Sequence, residues 1–244
     1  MSDQGEPRRW RGAFATAVLV LALAGVVCAL ARAQDEQPDA AGRQALDLSG
    51  RQFDPEAEEY MRAASDYLAA AGAFTFHADV TFDDVTEWGQ KIQYGGTLDV
   101  DVRRPNAVRV HRVADVGEQR FWYDGQAAWL YDPVRSTYAT AACPETIPAA
   151  MDYLMTAYGA SMPLAELAYP SVYEATMGEV RHGLYYGLHQ AAGVPCHHLA
   201  FIQELIDWQV WIQDGDEPLV RKVVITYKSR PASPQYTAVL TGWT

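Results

Sequence analysis

Residues 73–82 read "AFTFHADVTF": Phe74, Phe76, Ala78, Val80 and Phe82 alternate with Thr75, His77, Asp79 and Thr81. Successive side chains of a strand point to opposite faces, so this period of two predicts a strand with one face buried. The pattern then repeats. After a polar turn at 83–89, Ile92, Tyr94, Gly96, Leu98, Val100 and Val102 share one face of a long strand that Pro105 ends. Further strands are expected at 107–113, 119–123, 127–131, 136–140, 181–191, 195–202, 207–212, 219–228 and 235–242, about eleven in all. The connections at Asp124-Gly125 and Asp132-Pro133 are too short for a parallel crossover and join antiparallel neighbours. An open twisted sheet of more than roughly ten strands curls or closes. The expected fold is therefore α+β: a large curved antiparallel sheet, an unclosed barrel, with its concave side covered by two or three helices.

Those helices are visible as departures from the period of two. Asp54-Pro55-Glu56 opens one, with Asp54 expected to accept backbone N–H bonds at the N-cap and Pro55 tolerated in the first turn. Tyr60, Met61, Ala64, Tyr67, Leu68 and Ala71 form its apolar stripe, and Gly72 is expected to close it in the left-handed conformation. A second helix runs from Ile147, capped by Thr146, to a stop at Gly159, with Met151, Leu154, Met155 and Tyr158 on one face. Shorter helical turns are expected at 163–168 and in "SVYEATM".

The start of the chain reads differently. Arg8, Arg9 and Arg11 precede nineteen uncharged residues, Gly12 to Leu30, and Ala31 and Ala33 give the small-x-small pattern that a signal peptidase accepts. Residues 1–33 are read as a signal peptide cleaved after Ala33; the alternative is a membrane anchor over residues 12–30. Both readings export the rest, to the periplasm or another extracytoplasmic space. Residues 34–52 are polar and aperiodic, a flexible leader, and 53–244 form one domain. The whole chain carries −12; residues 1–33 hold four arginines against Asp3 and Glu6, which leaves −14 on the exported part. So acidic a surface repels nucleic acid and anionic headgroups.

The stretch "GVPCHHLAFIQELIDWQVWI" offers a rival chemistry. On a strand, Cys196, His198 and Ala200 face one way and His197, Leu199 and Phe201 the other, so the adjacent histidines do not face one metal ion. A third ligand from Cys143, His182 or His189 is not demanded by any spacing, and no metal site is assigned. Cys196 and His198 lie about 6.6 Å apart along the strand, long for proton transfer, and no catalytic residue is assigned. With the signal removed, Cys143 and Cys196 are the two cysteines left, and an exported compartment favours their oxidation to a disulfide. The loop so closed would contribute about 4 kcal/mol. The acidic residues Asp79, Asp83, Asp84 and Glu87 lack the dense oxygen-ligand loop of a calcium site and are expected to face solvent.

The segments "GQKIQYGGTLDVDVRRPNAVRV", "FWYDGQAAWLYDPVRSTYA", "IPAAMDYLMTAYGASMPLAEL", "GVPCHHLAF", "DWQVWI" and "LVRKVVITY" together resemble a family of predicted exported bacterial proteins known only as a domain of unknown function. That family is similar to the periplasmic lipoprotein carriers, whose fold is an incomplete antiparallel barrel around helices. The resemblance implies the half-barrel; a carrier activity follows only by analogy of fold. The matching signature positions are Arg104-Pro105, Tyr123-Asp124-Gly125, Tyr158-Gly159, His198 and Asp207-Trp208-Gln209. Bottom-up they read as architecture: Pro105 ends a strand, Asp124-Gly125 turns a hairpin, Gly159 stops a helix, and Asp207 satisfies backbone donors of the preceding turn.

The functional expectation is a hydrophobic ligand, a lipid or lipoprotein acyl chain, held in the concave face of the sheet without a cofactor. Phe76, Tyr94, Trp122, Trp129, Met151, Leu154, Met155 and Trp211 are the expected lining, with the methionines as adaptable walls. The alternatives are an interaction module of the cell envelope with a solid core and a protein partner, and, third, a hydrolase or metalloenzyme.

Overall fold

The computed structural model describes residues 50–244; the signal segment 1–33 and the leader up to residue 49 lie outside the described residues. In chain order the elements are β1 (Gln52–Phe53), α1 (Pro55–Ala70), β2 (Ala73–Val85), β3 (Lys91–Arg103), β4 (Ala107–Ala114), β5 (Gly117–Tyr123), β6 (Ala127–Asp132) and β7 (Thr137–Ala142). Then follow α2 (Ile147–Tyr158), a 3-10 turn (Ala165–Ala168), α3 (Val172–Met177), β8 (His182–Ala191), β9 (Val194–Ile202), β10 (Ile206–Gln213), β11 (Val220–Tyr227) and β12 (Gln235–Thr241).

All strands belong to one sheet in the order β1-β8-β9-β10-β11-β12-β2-β3-β4-β5-β6-β7, with β1 and β7 at its two edges. The protein is thus an α+β half-barrel, a large unclosed antiparallel sheet wrapped around a few helices. The twelfth strand is the short β1, at the end of the expected leader, and its pairing with β8 is parallel. Elsewhere neighbours run antiparallel, and the central seam joins β12 to β2, with Tyr236 opposite Phe82 and Ala238 opposite Val80.

The alternation read from the sequence sorts the strands' two faces. Phe74, Phe76, Ala78 and Val80 of β2 and Leu199 and Phe201 of β9 point inward. They join Ala57, Met61, Ala64 and Leu68 of α1, Ile147, Ala150, Met151 and Leu154 of α2, and Val172 and Met177 of α3 in one apolar cluster. Burying each large side chain there contributes about 1.5–3 kcal/mol. On the convex face, titratable side chains pair across strands instead: Arg109 of β4 lies 3.3 Å from Asp101 of β3, and His111 of β4 lies 3.0 Å from Glu118 of β5.

The helix ends depart from expectation. Ala71, in extended conformation, follows α1, and Gly72 is not left-handed. The carbonyls of Leu68 and Ala71 at the end of α1 accept hydrogen bonds from Arg104 Nη1 at 2.7 and 2.6 Å, while Arg104 Nη2 donates to the Leu167 and Tyr169 carbonyls. One guanidinium, whose charge suits a helix C-terminus, ties α1 to the 3-10 turn. Asp54 does precede α1, but its carboxylate accepts the Tyr185 N–H of β8 at 2.9 Å rather than its own helix's donors. Thr146 makes no side-chain cap either. At Gly159 the expectation holds: φ is +68° and its N–H bonds the Leu154 and Met155 carbonyls.

The turn residues behave similarly. Asp124 Oδ1 accepts the N–H groups of Gln126 and Ala127 at 2.9 and 3.0 Å, which holds its carboxyl below the usual range. Gly125 has φ +91° and faces Asn106 so closely that a Cβ would sit 2.6 Å from the Asn106 amide, so glycine is required twice over. Pro105 lies just past the end of β3. Asp207, expected to serve the preceding turn, instead stands 2.8 Å from Lys228 Nζ, and the lysine is what donates to that turn, at the Gln203 carbonyl.

Candidate ligand site

The concave face is filled unevenly. Under β8, β9 and β10 it is packed by α1: Met61 and Leu68 are buried, Trp208 stacks on Phe201 at 4.2 Å, and Tyr60 stacks on His197 at 3.5 Å. Several polar side chains in that region are paired. His197 lies 2.9 Å from Asp214 and 3.0 Å from the Tyr185 hydroxyl, and Ser65 Oγ accepts the Tyr173 N–H of α3.

Across the central seam a cavity of about 160 Å³ remains. One wall is the inward face of the meander: Phe76, Val80 and Phe82 of β2, Leu98, Val100 and Val102 of β3, Val108, Val110 and Arg112 of β4, and Phe121 of β5. The opposite wall is Ile147 and Met151 of α2 and the covering segment of Met162, Pro163, Leu164, Ala165, Leu167 and Ala168. Leu164 adopts the left-handed region, φ +74°, as that segment enters its 3-10 turn.

Polar groups gather at one end, near the β11–β12 hairpin. Arg112, Tyr227, Arg230, Gln235, Tyr236 and Asp83 all reach the cavity there. Asp83 was expected in solvent; its side chain is buried, accepts the Gln235 N–H at 3.0 Å and lies 3.4 Å from Lys91 Nζ. Burial pushes the Tyr227 and Tyr236 hydroxyls up, so both stay protonated. The Glu166 carboxyl, on the covering segment, is pushed up in the same way.

Of the eight residues expected to line a site, Phe76 and Met151 do so. Tyr94 stands beside the lining residue Phe82, with ring centroids 5.7 Å apart. Leu154 is buried in the apolar cluster, and Met155 is 39% exposed. Trp122 and Trp129 lie opposite each other on β5 and β6. Each falls between inward residues, so both project from the convex face, where they form a shallow apolar depression with Tyr131 and Tyr138. Trp211 also points outward: it packs with Cys196, Ala191 and Val224 and stacks on His198 at 4.0 Å.

The disulfide is corrected. Cys143 and Cys196 are free thiols. Cys143 follows β7 at one edge of the sheet and packs on the inner cluster, whereas Cys196 sits on β9 near the other edge in the outer cluster, so the sheet lies between them. Burial pushes both thiols up, away from thiolate character. Cys196 Sγ donates to the Val194 carbonyl, while His198 lies 2.9 Å from His189 and 3.0 Å from Gln209. Among the described residues no group of three or more metal-ligating side chains converges.

The most telling residue that sequence reasoning missed is Arg112. Its signal was parity: Val108, Val110 and Arg112 occupy every second position of β4, so the arginine continues an inward-facing apolar row. Counting only apolar residues hides a charge in that row.

The fold has a counterpart among solved structures. The lipoprotein LppX of Mycobacterium tuberculosis matches with a TM-score of 0.50 at 13% identity, over 78% of this chain and 96% of that one. LprF of Mycobacterium bovis gives 0.45 at 13% identity, over 78% and 93%. A LolA superfamily protein of Nitrosomonas europaea gives 0.36 at 9% identity, over 77% and 92%. Comparison with curated proteins finds no match. Residues 57–244 match the family described as "Predicted periplasmic protein (DUF2092)", and the chain belongs to that family. The description agrees with the export signal read at Arg8 to Ala33, and the protein is an exported, periplasmic one. Among the described residues no helix is long and apolar enough to cross a membrane.

Proposed function

We propose that the protein binds a hydrophobic ligand, a lipid or a lipoprotein acyl chain, in the concave face of its sheet. The observation that carries this reading is the cavity between the meander and the segment Met162–Ala168, walled almost wholly by apolar side chains. Folding ordinarily eliminates such space, because interiors pack as densely as organic crystals. Each methylene placed there is worth about 0.8 kcal/mol relative to water. Its volume of about 160 Å³ suits only a short apolar segment; pockets for drug-sized ligands run from roughly 300 Å³ upward. A full acyl chain therefore requires Met162 and Leu164 to move aside, and Met is the side chain that repacks with least loss. The half-barrel that the chain shares with the lipoprotein LppX supports the reading at the level of fold alone.

Organic extraction of protein purified from its native envelope, followed by mass spectrometry, is expected to recover about one lipid per chain. Repeated recovery of empty protein that also ignores fluorescent fatty-acid probes would sink the reading. A second reading, an envelope interaction module with a protein partner, is favoured by the convex-face aromatics Trp122 and Tyr138, which are exposed, and the half-buried Trp129 between them. It predicts that in-cell crosslinking from Tyr138 traps one protein partner and that filling the cavity leaves that crosslink intact.

A further inference from the structure

Arg112 is an unusual wall for an apolar cavity. Its guanidinium faces inward from β4, lies over the Phe82 ring with Cζ 5.5 Å from the centroid, and makes a hydrogen bond at the limit of range, 3.5 Å, to Gln119 Oε1. Among the described residues neither Arg112 nor Arg230 has a carboxylate within ion-pairing distance, and the Arg230 guanidinium rests 4.6 Å from the Tyr227 ring centroid. The carboxylate that does reach the cavity, Asp83, is already engaged by Lys91, Gln93 and the Gln235 N–H. Lys91 thus takes up the Asp83 charge, and the two arginines at this end of the site are left without an ion pair, in a chain whose net charge is −12. A partly desolvated cation without a counter-charge is costly to hold, and a planar guanidinium with free N–H groups is shaped for bidentate contact with a carboxylate or phosphate. Tyr236, buried beside Arg112 and protonated, adds a hydroxyl donor in the same place.

We propose that the ligand is an anionic amphiphile: its carboxylate or phosphate head is held by Arg112 with Arg230, and its chain runs among Val80, Val100 and Val110 beneath the covering segment. This rests on the hydrophobic-ligand reading above and adds the chemistry of the head. The head and tail requirements are separable in a titration.

The full chain is titrated calorimetrically with dodecanoate, methyl dodecanoate, dodecyl phosphate and inorganic phosphate. The two anionic amphiphiles are expected to bind at least about tenfold more tightly than the ester, as a charge-assisted contact implies, and inorganic phosphate to give no saturable heat. Arg112→Gln should weaken dodecanoate by about tenfold and bring the acid-to-ester ratio toward one, with Arg112→Lys between the two. Equal affinity of the native protein for acid and ester would overturn the anionic head and leave the hydrophobic-ligand reading standing. Saturable binding of inorganic phosphate as tight as that of dodecyl phosphate would overturn the amphiphile and assign the arginines to a free anion. Binding of no chain-bearing probe would remove both readings. If Arg112→Gln does not fold, the native acid-to-ester ratio and Arg230→Gln decide the matter.

Discussion

The two halves of the concave face are built from the same alternating strands and end differently. Beneath β8–β10, α1 presses a continuous apolar stripe onto the sheet, the polar atoms of His197, Tyr185 and Asp214 find one another, and Ser65 accepts the Tyr173 N–H. Beneath β2–β5 the covering element is α2 and a short 3-10 turn, space is left over, and a guanidinium stands without a counter-charge. The difference teaches that the packed half carries the continuous core, while the other half keeps the space in which the proposed ligand would sit.

The division can be broken by substitution. Phe201→Ala, in the packed half, should cost about 3–5 kcal/mol in chemical denaturation, because Phe201 is fully buried and the space has no means to collapse. Next, Arg104→Ala should cost about 2–3 kcal/mol by removing the cation that bonds four carbonyls, which leaves three without this partner and the fourth, Leu68, with the Ala71 N–H alone. Val100→Phe, in the open half, sharpens the contrast: stability should move by less than about 1 kcal/mol while affinity for a fatty-acid probe falls about tenfold, since the new ring occupies the ligand's space. A loss of several kcal/mol there would mean that the cavity is packed after all. Gly159→Ala should cost about 1 kcal/mol through its left-handed backbone.

The smallest effect is one of pH. Burial holds the His198 imidazole below its ordinary value of 6.5, with His189, Lys222 and Gln209 facing it. Between the folded and unfolded values the unfolded chain binds more protons, so stability should fall slightly as pH drops below about 6.5 and stay flat above it. His77 works in the opposite direction: its hydrogen bond to Asp99 raises it, so its contribution is present below 6.5 and fades as pH rises past the folded value. Denaturation midpoints of His198→Gln and His77→Gln across pH 5–8 should therefore change slope with opposite sign.

The sheet was legible from the sequence because a period of two survives any tertiary context that buries one face. Every expected strand formed, and the Cys196–His198 parity was read correctly from the same rule. What alternation does not reveal is which face is concave. Trp122, Trp129 and Trp211 alternate as well as Phe76 does, yet they lie on the outer surface. Sheet order is equally silent in a sequence of hairpins, so the two cysteines could not be assigned to opposite faces near opposite edges. The helix caps at Asp54 and Gly72 were misjudged for a related reason: local rules presume local partners, and here β8 and Arg104 supply them from a distance.

The seam between β12 and β2 carries a consequence for how such a chain matures. Its ladder, continued by the reciprocal backbone bonds between Thr75 and Thr244, unites strands from opposite ends of the described sequence in the middle of the sheet. The hairpins on either side can form as they emerge from the export machinery, but the vault has no keystone until β12 arrives. Until then the inner aromatics of β2 lie open to the surrounding solvent, and the meander and the later hairpins remain two unjoined halves.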